Sequence, residues 1–258
     1  MIIQAPSQVA FNLFDFPVYW YGIIMSLAVL VSVVCAEILA DKNGIEKNFF
    51  IDNSPLIIIV GLLGARLYYC VLNAKYYILN PLEIFYIRQG GLSIHGMLII
   101  GILYFLILAK INRVSTLKIL DISACSVVLG QSVGRWGNFF NSEAFGLPTY
   151  SDWGLFIPEN LRPEAFINYE LFHPTFFYES LFDFLIFFIL LYILRKQNRS
   201  GRTFFAYLIL YSVARILIEF VRIDSVCYMF GLPIAQVMSF LLFFIGVVGL
   251  IYISKRTN

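Results

Sequence analysis

Long apolar runs broken by short polar clusters set the pattern of this chain. Seven of them approach the roughly 17–25 residues that an apolar helix needs to cross a bilayer. They cover residues 19–40, 55–72, 92–110, 118–134, 174–194, 203–221 and 233–253. The second and fourth are the shortest, and the fourth carries Ser and Gly. Each is predicted to be a helix, because an isolated strand leaves backbone N–H and C=O groups unsatisfied in lipid. The longest polar connector, about residues 135–173, is rich in Pro, aromatics and carboxylates. Ahead of the first run, residues 8–19 mix Phe11, Leu13, Phe14 and Phe16 with Asn12 and Asp15, which suits a segment lying flat in the membrane interface.

Composition agrees with this pattern. Of 258 residues, 60% are hydrophobic and only 13% are charged, about half the charged share of a soluble domain. Mean hydropathy is +0.82. Too little polar surface remains to coat a water-soluble body, and the expectation is one all-α, polytopic membrane domain over residues 1–258. The net charge of +2 is scattered among apolar runs and offers nothing to nucleic acid. No Lys or Arg precedes Lys42, so the basic start of a cleaved signal peptide is missing and the first run is expected to stay. Eleven of the eighteen basic residues follow runs one, three, five and seven: Lys42, Lys47, Lys110, Arg113, Lys118, Arg195, Lys196, Arg199, Arg202, Lys255 and Arg256. Cytoplasmic loops carry the basic excess, which predicts seven transmembrane helices with the N-terminus periplasmic and the C-terminus cytoplasmic. Cys35, Cys70, Cys125 and Cys227 fall in or beside apolar runs without metal spacing and read as small hydrophobes. Two histidines without an HExxH pattern give no basis for a metal site.

Several polar residues inside the runs need a reason. Arg215, Glu219 and Arg222 share one face of the sixth helix. A self-neutralising ion pair is one account, but a single Glu cannot neutralise two Arg, and intramembrane ionisable groups usually face a functional cavity. The surplus positive charge suits an anion, and the commonest anion at that depth is a lipid phosphate. Arg66, in GLLGARLYY, either snorkels to a headgroup or acts directly. Gly61 and Gly64 beside it allow close helix contact. His95, in GGLSIHGMLIIG, is either a hydrogen-bonded structural residue or the best available proton acceptor near neutrality. His173, in HPTFFYES, suits a structural anchor at a helix start, and Glu179 and Asp183 follow it four residues apart. Tyr21, in VYWYG, passes for an interfacial belt residue. Densest of all is Gly130–Gly146, GQSVGRWGNFFNSEAFG, with Arg135, Asn138, Asn141 and Glu143.

Within that stretch, GRWGNFFNSEAFG resembles the GRxGNFxNxExxG motif of the bacterial prolipoprotein diacylglyceryl transferases. VYWYG, GARLYY, GGLSIHG, HPTFFYE and ARILIEFVR resemble further motifs of that family, in the same order, over about residues 18–224. The resemblance implies an inner-membrane enzyme, with no metal or soluble cofactor, whose partners are phosphatidylglycerol, signal-peptide-bearing preprolipoproteins and membrane lipids. It would move the diacylglyceryl group of phosphatidylglycerol to the lipobox cysteine, releasing glycerol phosphate, the first step of lipoprotein maturation. By motif position the family's essential roles fall on Tyr21, His95, Arg135, Asn138, Glu143, Gly146, Arg215 and Glu219. Two departures stand out: HGML with Met97 where the family often has Gly, and Arg222-Ile223-Asp224 where an REPD-like sequence is common.

The chemistry assigns roles to those positions. A thiol of pKa about 8.5 is mostly protonated at neutral pH, and the thiolate is the nucleophile, so His95 is the expected base. Arg135 and Arg215 are the expected phosphate clamps, since guanidinium presents a planar fork to phosphate oxygens. Asn138 and Asn141 hydrogen-bond the headgroup, Glu143 and Glu219 orient the arginines, Gly146 lets backbone approach the lipid, and Arg66 adds a further headgroup contact. A transporter or channel for an anionic or lipid substrate is the rival reading, set aside by the thirteen-residue motif and the lack of matching halves. A retinal receptor would need a Lys inside the last run, which has none before Lys255.

Overall fold

In a computed structural model the described residues are 2–87, 90–223, 228–229 and 231–255. Arg88, Asp224, Cys227 and Arg256 lie outside them. Each apolar run falls in a helix: α1 (Trp20–Lys42), α2 (Phe49–Leu72), α4 (Ile94–Ile111), α5 (Thr116–Asn141), α6 (Thr175–Lys196), α7 (Arg202–Glu219) and α8 (Ile234–Lys255), with a short α3 (Ala74–Leu79) between the second and third. Among the described residues, five of these (α1, α2, α5, α6 and α8) are long and apolar enough to cross a membrane. The chain is thus mostly helical and of multi-pass character. By internal contacts it forms two compact units, residues 1–35 with 121–258, and residues 36–120.

In the second of these units α2 packs on α4. Gly96 of α4 lies against the Gly64 carbonyl and Tyr68, and a Cβ at Gly64 would come within 2.7 Å of Ile100. Small residues let helix backbones meet this closely. The start of α2 comes earlier than Pro55 suggests. Proline leaves the carbonyl four residues back without its N–H partner, and the Ser54 hydroxyl donates to that Ile51 oxygen at 2.9 Å. Glu37 of α1 then accepts from the Asn48, Phe50 and Ile51 N–H groups, satisfying donors of the first turn.

In the larger unit α6 packs on α7 and α7 on α8. Gly130, Gly134 and Gly137 line one stripe of α5, where they meet Ser32 and Ala28, Met25, and Tyr21 of α1. The fourth run, the least promising by length, becomes the longest helix. It continues through Arg135, Asn138 and Asn141 and stops at Ser142 and Ala144, both in left-handed backbone (φ 52° and 54°). The connector therefore begins at residue 142, not 135. It is no plain loop either. Strands β1 (Ile3–Gln4), β4 (Leu155–Phe156) and β5 (Leu171–Phe172) form a small sheet. Ala144, Phe145, Leu155, Ile157, Phe172 and Phe176 make its buried core.

The N-terminal segment is a β-hairpin, β2 (Val9–Leu13) against β3 (Phe16–Tyr19). Phe14 at its turn has φ 50° and is 88% exposed. β-Branched and aromatic alternation across a tight turn favours strands here. A last short pair, β6 (Tyr228–Met229) and β7 (Leu232–Pro233), precedes α8.

Candidate active site

Arg135, Asn138 and Asn141 recur every three residues on α5 and therefore share a face. Past the helix end the chain reverses, with the Ser142 N–H donating to the Phe139 carbonyl and the Glu143 N–H to that of Asn138. This turns the Glu143 carboxylate back onto α5, where it accepts from Asn138 Nδ2 at 2.9 Å and Asn141 Nδ2 at 3.3 Å. Tyr21 packs its ring on Gly137, whose added Cβ would lie 3.0 Å from Tyr21 Cδ2, and lies within electrostatic range of Glu143 and Arg135.

The centre of the cluster is Glu179, in the second turn of α6. Its Oε2 lies 2.7 Å from Arg135 Nη1, and its Oε1 is 3.0 Å from both Arg215 Nη1 and Arg222 Nη1. Arg215 Nη2 also reaches Glu219 Oε2 at 2.9 Å, and Asp183 Oδ2 is 3.9 Å from Arg135 Nε. α5, α7 and the segment just past α7 thus bring three guanidiniums onto one carboxylate of α6. The acids lie beneath, Glu179 with 3% of its side chain exposed, while the arginines keep 15–21%. What remains accessible is a guanidinium layer, and each guanidinium carries five N–H donors in a fixed fork.

The loop that closes this layer needs Gly146. A Cβ there would fall 2.8 Å from both Thr175 Cγ2 and the Val221 carbonyl. Its N–H donates to the His173 carbonyl at 2.8 Å, and the next residue's N–H to Val221. Gly146 therefore serves close packing between the start of α6 and the end of α7. His173 holds Tyr178 through Nδ1 at 3.1 Å, as suits an anchor.

The smaller unit holds Arg66 and His95. Arg66 is buried, and its guanidinium donates to the carbonyls of Glu83, Ile84, Gly90 and Gly91. It also stacks 5.3 Å from the centre of the Tyr77 ring. A fork committed to four carbonyls holds a loop. Gly90 and Gly91 take φ of 89° and 70°, backbone that glycine adopts without strain. That loop leads into α4, whose first turn carries His95. The Ser93 N–H donates to the Ala65 carbonyl at 3.0 Å, and the half-buried imidazole lies 6.1 Å from the Tyr68 ring. Met97, the departure from the common HGGL, packs toward Gly61.

A profile of prolipoprotein diacylglyceryl transferases matches residues 8–252. The chain belongs to the prolipoprotein diacylglyceryl transferase family. Among its relatives, a "phosphatidylglycerol--prolipoprotein diacylglyceryl transferase" of Prochlorococcus marinus is 39% identical over 99% of this chain and 95% of its own length. Proteins of the same name from Parasynechococcus marenigrum and Halalkalibacterium halodurans are 40% and 39% identical, over 99% and 93% of this chain and 96% and 84% of their own. The prolipoprotein diacylglyceryl transferase family and the apolar helices together make this a multi-pass membrane protein.

For this prolipoprotein diacylglyceryl transferase chain, sequence reasoning gave Glu179 only a supporting place. Its signal was present: an i, i+4 acid pair opening an otherwise apolar helix. A second acid was passed over. Asp121, fully buried inside α5, accepts from the Gly201 N–H, from the Phe204 N–H at 2.8 Å and from Gln197 Nε2 at 3.0 Å. It thereby satisfies donors at the start of α7, the helix that carries Arg215. A lone carboxylate in an apolar run was the signal there.

Proposed function

We propose that this chain transfers the diacylglyceryl group of phosphatidylglycerol to the lipobox cysteine of preprolipoproteins, the first step of lipoprotein maturation. The observation that carries the chemistry is the guanidinium layer over Glu179. The cysteine sulfur attacks the glycerol carbon that bears the phosphate ester. A carbon–sulfur bond forms, the carbon–oxygen bond breaks, and its electron pair leaves on glycerol phosphate. Charge gathers on the phosphate as that bond breaks, so preorganised donors there lower the barrier. Arg135 and Arg215 are the clamps in this reading. Glu179 and Glu219 hold their forks in place, while Asn138 and Asn141, positioned by Glu143, meet the polar head. Tyr21 borders the same face.

His95 takes the thiol proton, directly or through water, a role supported by its motif position and by the chemistry of imidazole. His95→Gln should lower kcat on phosphatidylglycerol and a lipobox peptide by about 10²–10⁴, the usual loss when a positioned acid or base is removed. Undiminished transfer by that variant would exclude His95 as base.

In the same reading the chain sits in the bacterial inner membrane as one domain of seven spans. α4 and α7 join the five helices that are long and apolar enough to cross, with the N-terminus and the 142–174 region periplasmic and the C-terminus cytoplasmic. The basic loop bias supports this orientation. The direct test supplies purified protein in vesicles with phosphatidylglycerol and a lipobox peptide. Mass spectrometry should find the diacylglyceryl thioether together with glycerol phosphate. Failure of both to form would overturn the assignment.

A further inference from the structure

A groove of about 430 Å³ runs along the larger unit between α1, α5 and α6. Ile24, Leu27, Trp136, Phe177, Leu181 and Phe184 form most of its walls. Ser180 Oγ, also in the lining, donates to the Ser132 carbonyl at 2.7 Å and is already committed. The polar anchors that α5 and α6 give to the arginine cluster each have a groove residue next to them in sequence. Trp136 follows Arg135, Ser180 follows Glu179, and Phe184 follows Asp183. The groove and the cluster are therefore neighbouring faces of the same two helices.

We infer that this groove holds one acyl chain of the phospholipid whose phosphate meets the arginines, and that its lining sets acyl-chain preference. The inference rests on the proposed function. An acyl chain is covalently joined to the phosphate that the arginines meet, so a single lipid molecule can fill both faces at once. The groove's direction agrees with a lipid tail. Trp136 and Phe177 lie nearest the ends of α5 and α6 that carry the polar cluster, and Leu27 and Phe184 lie deeper. From Phe177 to Phe184 the rise along α6 is about 10 Å, less than the roughly 15 Å of one leaflet's hydrocarbon. The groove thus grips the part of the chain nearest the ester, and the tail's end emerges into the bilayer. Charged head and apolar chain of one molecule are then read by adjacent faces, which also positions the reacting carbon between them.

The test uses the full-length protein in vesicles with a lipobox peptide, comparing dipalmitoyl- with dihexanoyl-phosphatidylglycerol. Leu27→Trp and Leu181→Trp, both at exposed positions, should lower the ratio of kcat/KM for the long over the short lipid by about tenfold, the scale on which apolar pockets discriminate chain length. A ratio is insensitive to the fraction of protein that folds. Phosphatidylglycerol with a mid-chain diazirine should also label Leu181 or Phe184, and unlabelled dipalmitoyl-phosphatidylglycerol should compete where the dihexanoyl lipid does not. An unmoved ratio, equal competition by both lipids, or a rise confined to KM for the peptide would each overturn the inference. Absence of thioether with the unaltered protein would instead overturn the proposed function.

Discussion

Single side chains decide the chemistry, and Glu179 shows how. Removing one member of a buried ion-pair network leaves its partners uncompensated, at a cost of about 3–5 kcal/mol. Glu179→Ala removes the carboxylate that three guanidiniums share. It should lower the thermal midpoint in detergent as well as abolish transfer, whereas Glu179→Gln, keeping shape and one acceptor, should lose less stability. Equal midpoints for Glu179→Ala and the unaltered protein would remove Glu179 as the hub. Arg135→Ala and Arg215→Lys act differently. Each should cut kcat by about 10²–10³, the usual loss when one preorganised donor to a developing anion is removed, with the protein still inserted in the membrane. Full activity of either variant on phosphatidylglycerol and a lipobox peptide would end the clamp assignment. The three arginines and the two asparagines were legible because charge and amide groups are conspicuous in an apolar chain. Arg66 was equally conspicuous and served a different end, since only the fold reveals four carbonyls waiting for it.

Helices meet here through glycine, and the positions are unequal. Gly96 of α4 is pressed on Gly64 and Tyr68, while Gly101, five residues on, has open space where a Cβ would go. Gly96→Leu should force α2 and α4 apart and destabilise by about 1–3 kcal/mol or more. Gly101→Ala should be neutral or stabilising by about 0.5–1 kcal/mol, from helix propensity alone. Thermal unfolding of the two variants side by side checks both, and matched losses would refute the close-packing account. Apolar runs marked all seven long helices in the sequence, but their ends did not follow the runs. α2 gained a turn and a half because Ser54 occupies the carbonyl that Pro55 abandons. α5 gained two turns because its polar end finds partners in Glu143 and on α6. Composition alone stops a span where polarity begins; a folded helix stops where its backbone turns.

For the molecule in its membrane, the orientation argument makes a direct demand. A reporter enzyme active only in the periplasm should be inactive when fused after Asn258 and active when inserted at Tyr150, which is exposed in the 142–174 region. The opposite pattern would invert the topology and place the guanidinium layer on the wrong face for a periplasmic lipobox. Membrane class, the number of long helices, the polar motif and the family resemblance were all determined by the sequence, because each depends on residue type and local spacing. The tertiary structure alone decided that one acid beneath three arginines organises the cluster, that Gly146 and Arg66 hold loops, and that the N-terminal segment is a hairpin. Those outcomes depend on which groups from distant stretches come within about 3 Å of one another. No local pattern encodes that distance; it is set when apolar faces pack and every buried charge must find a partner.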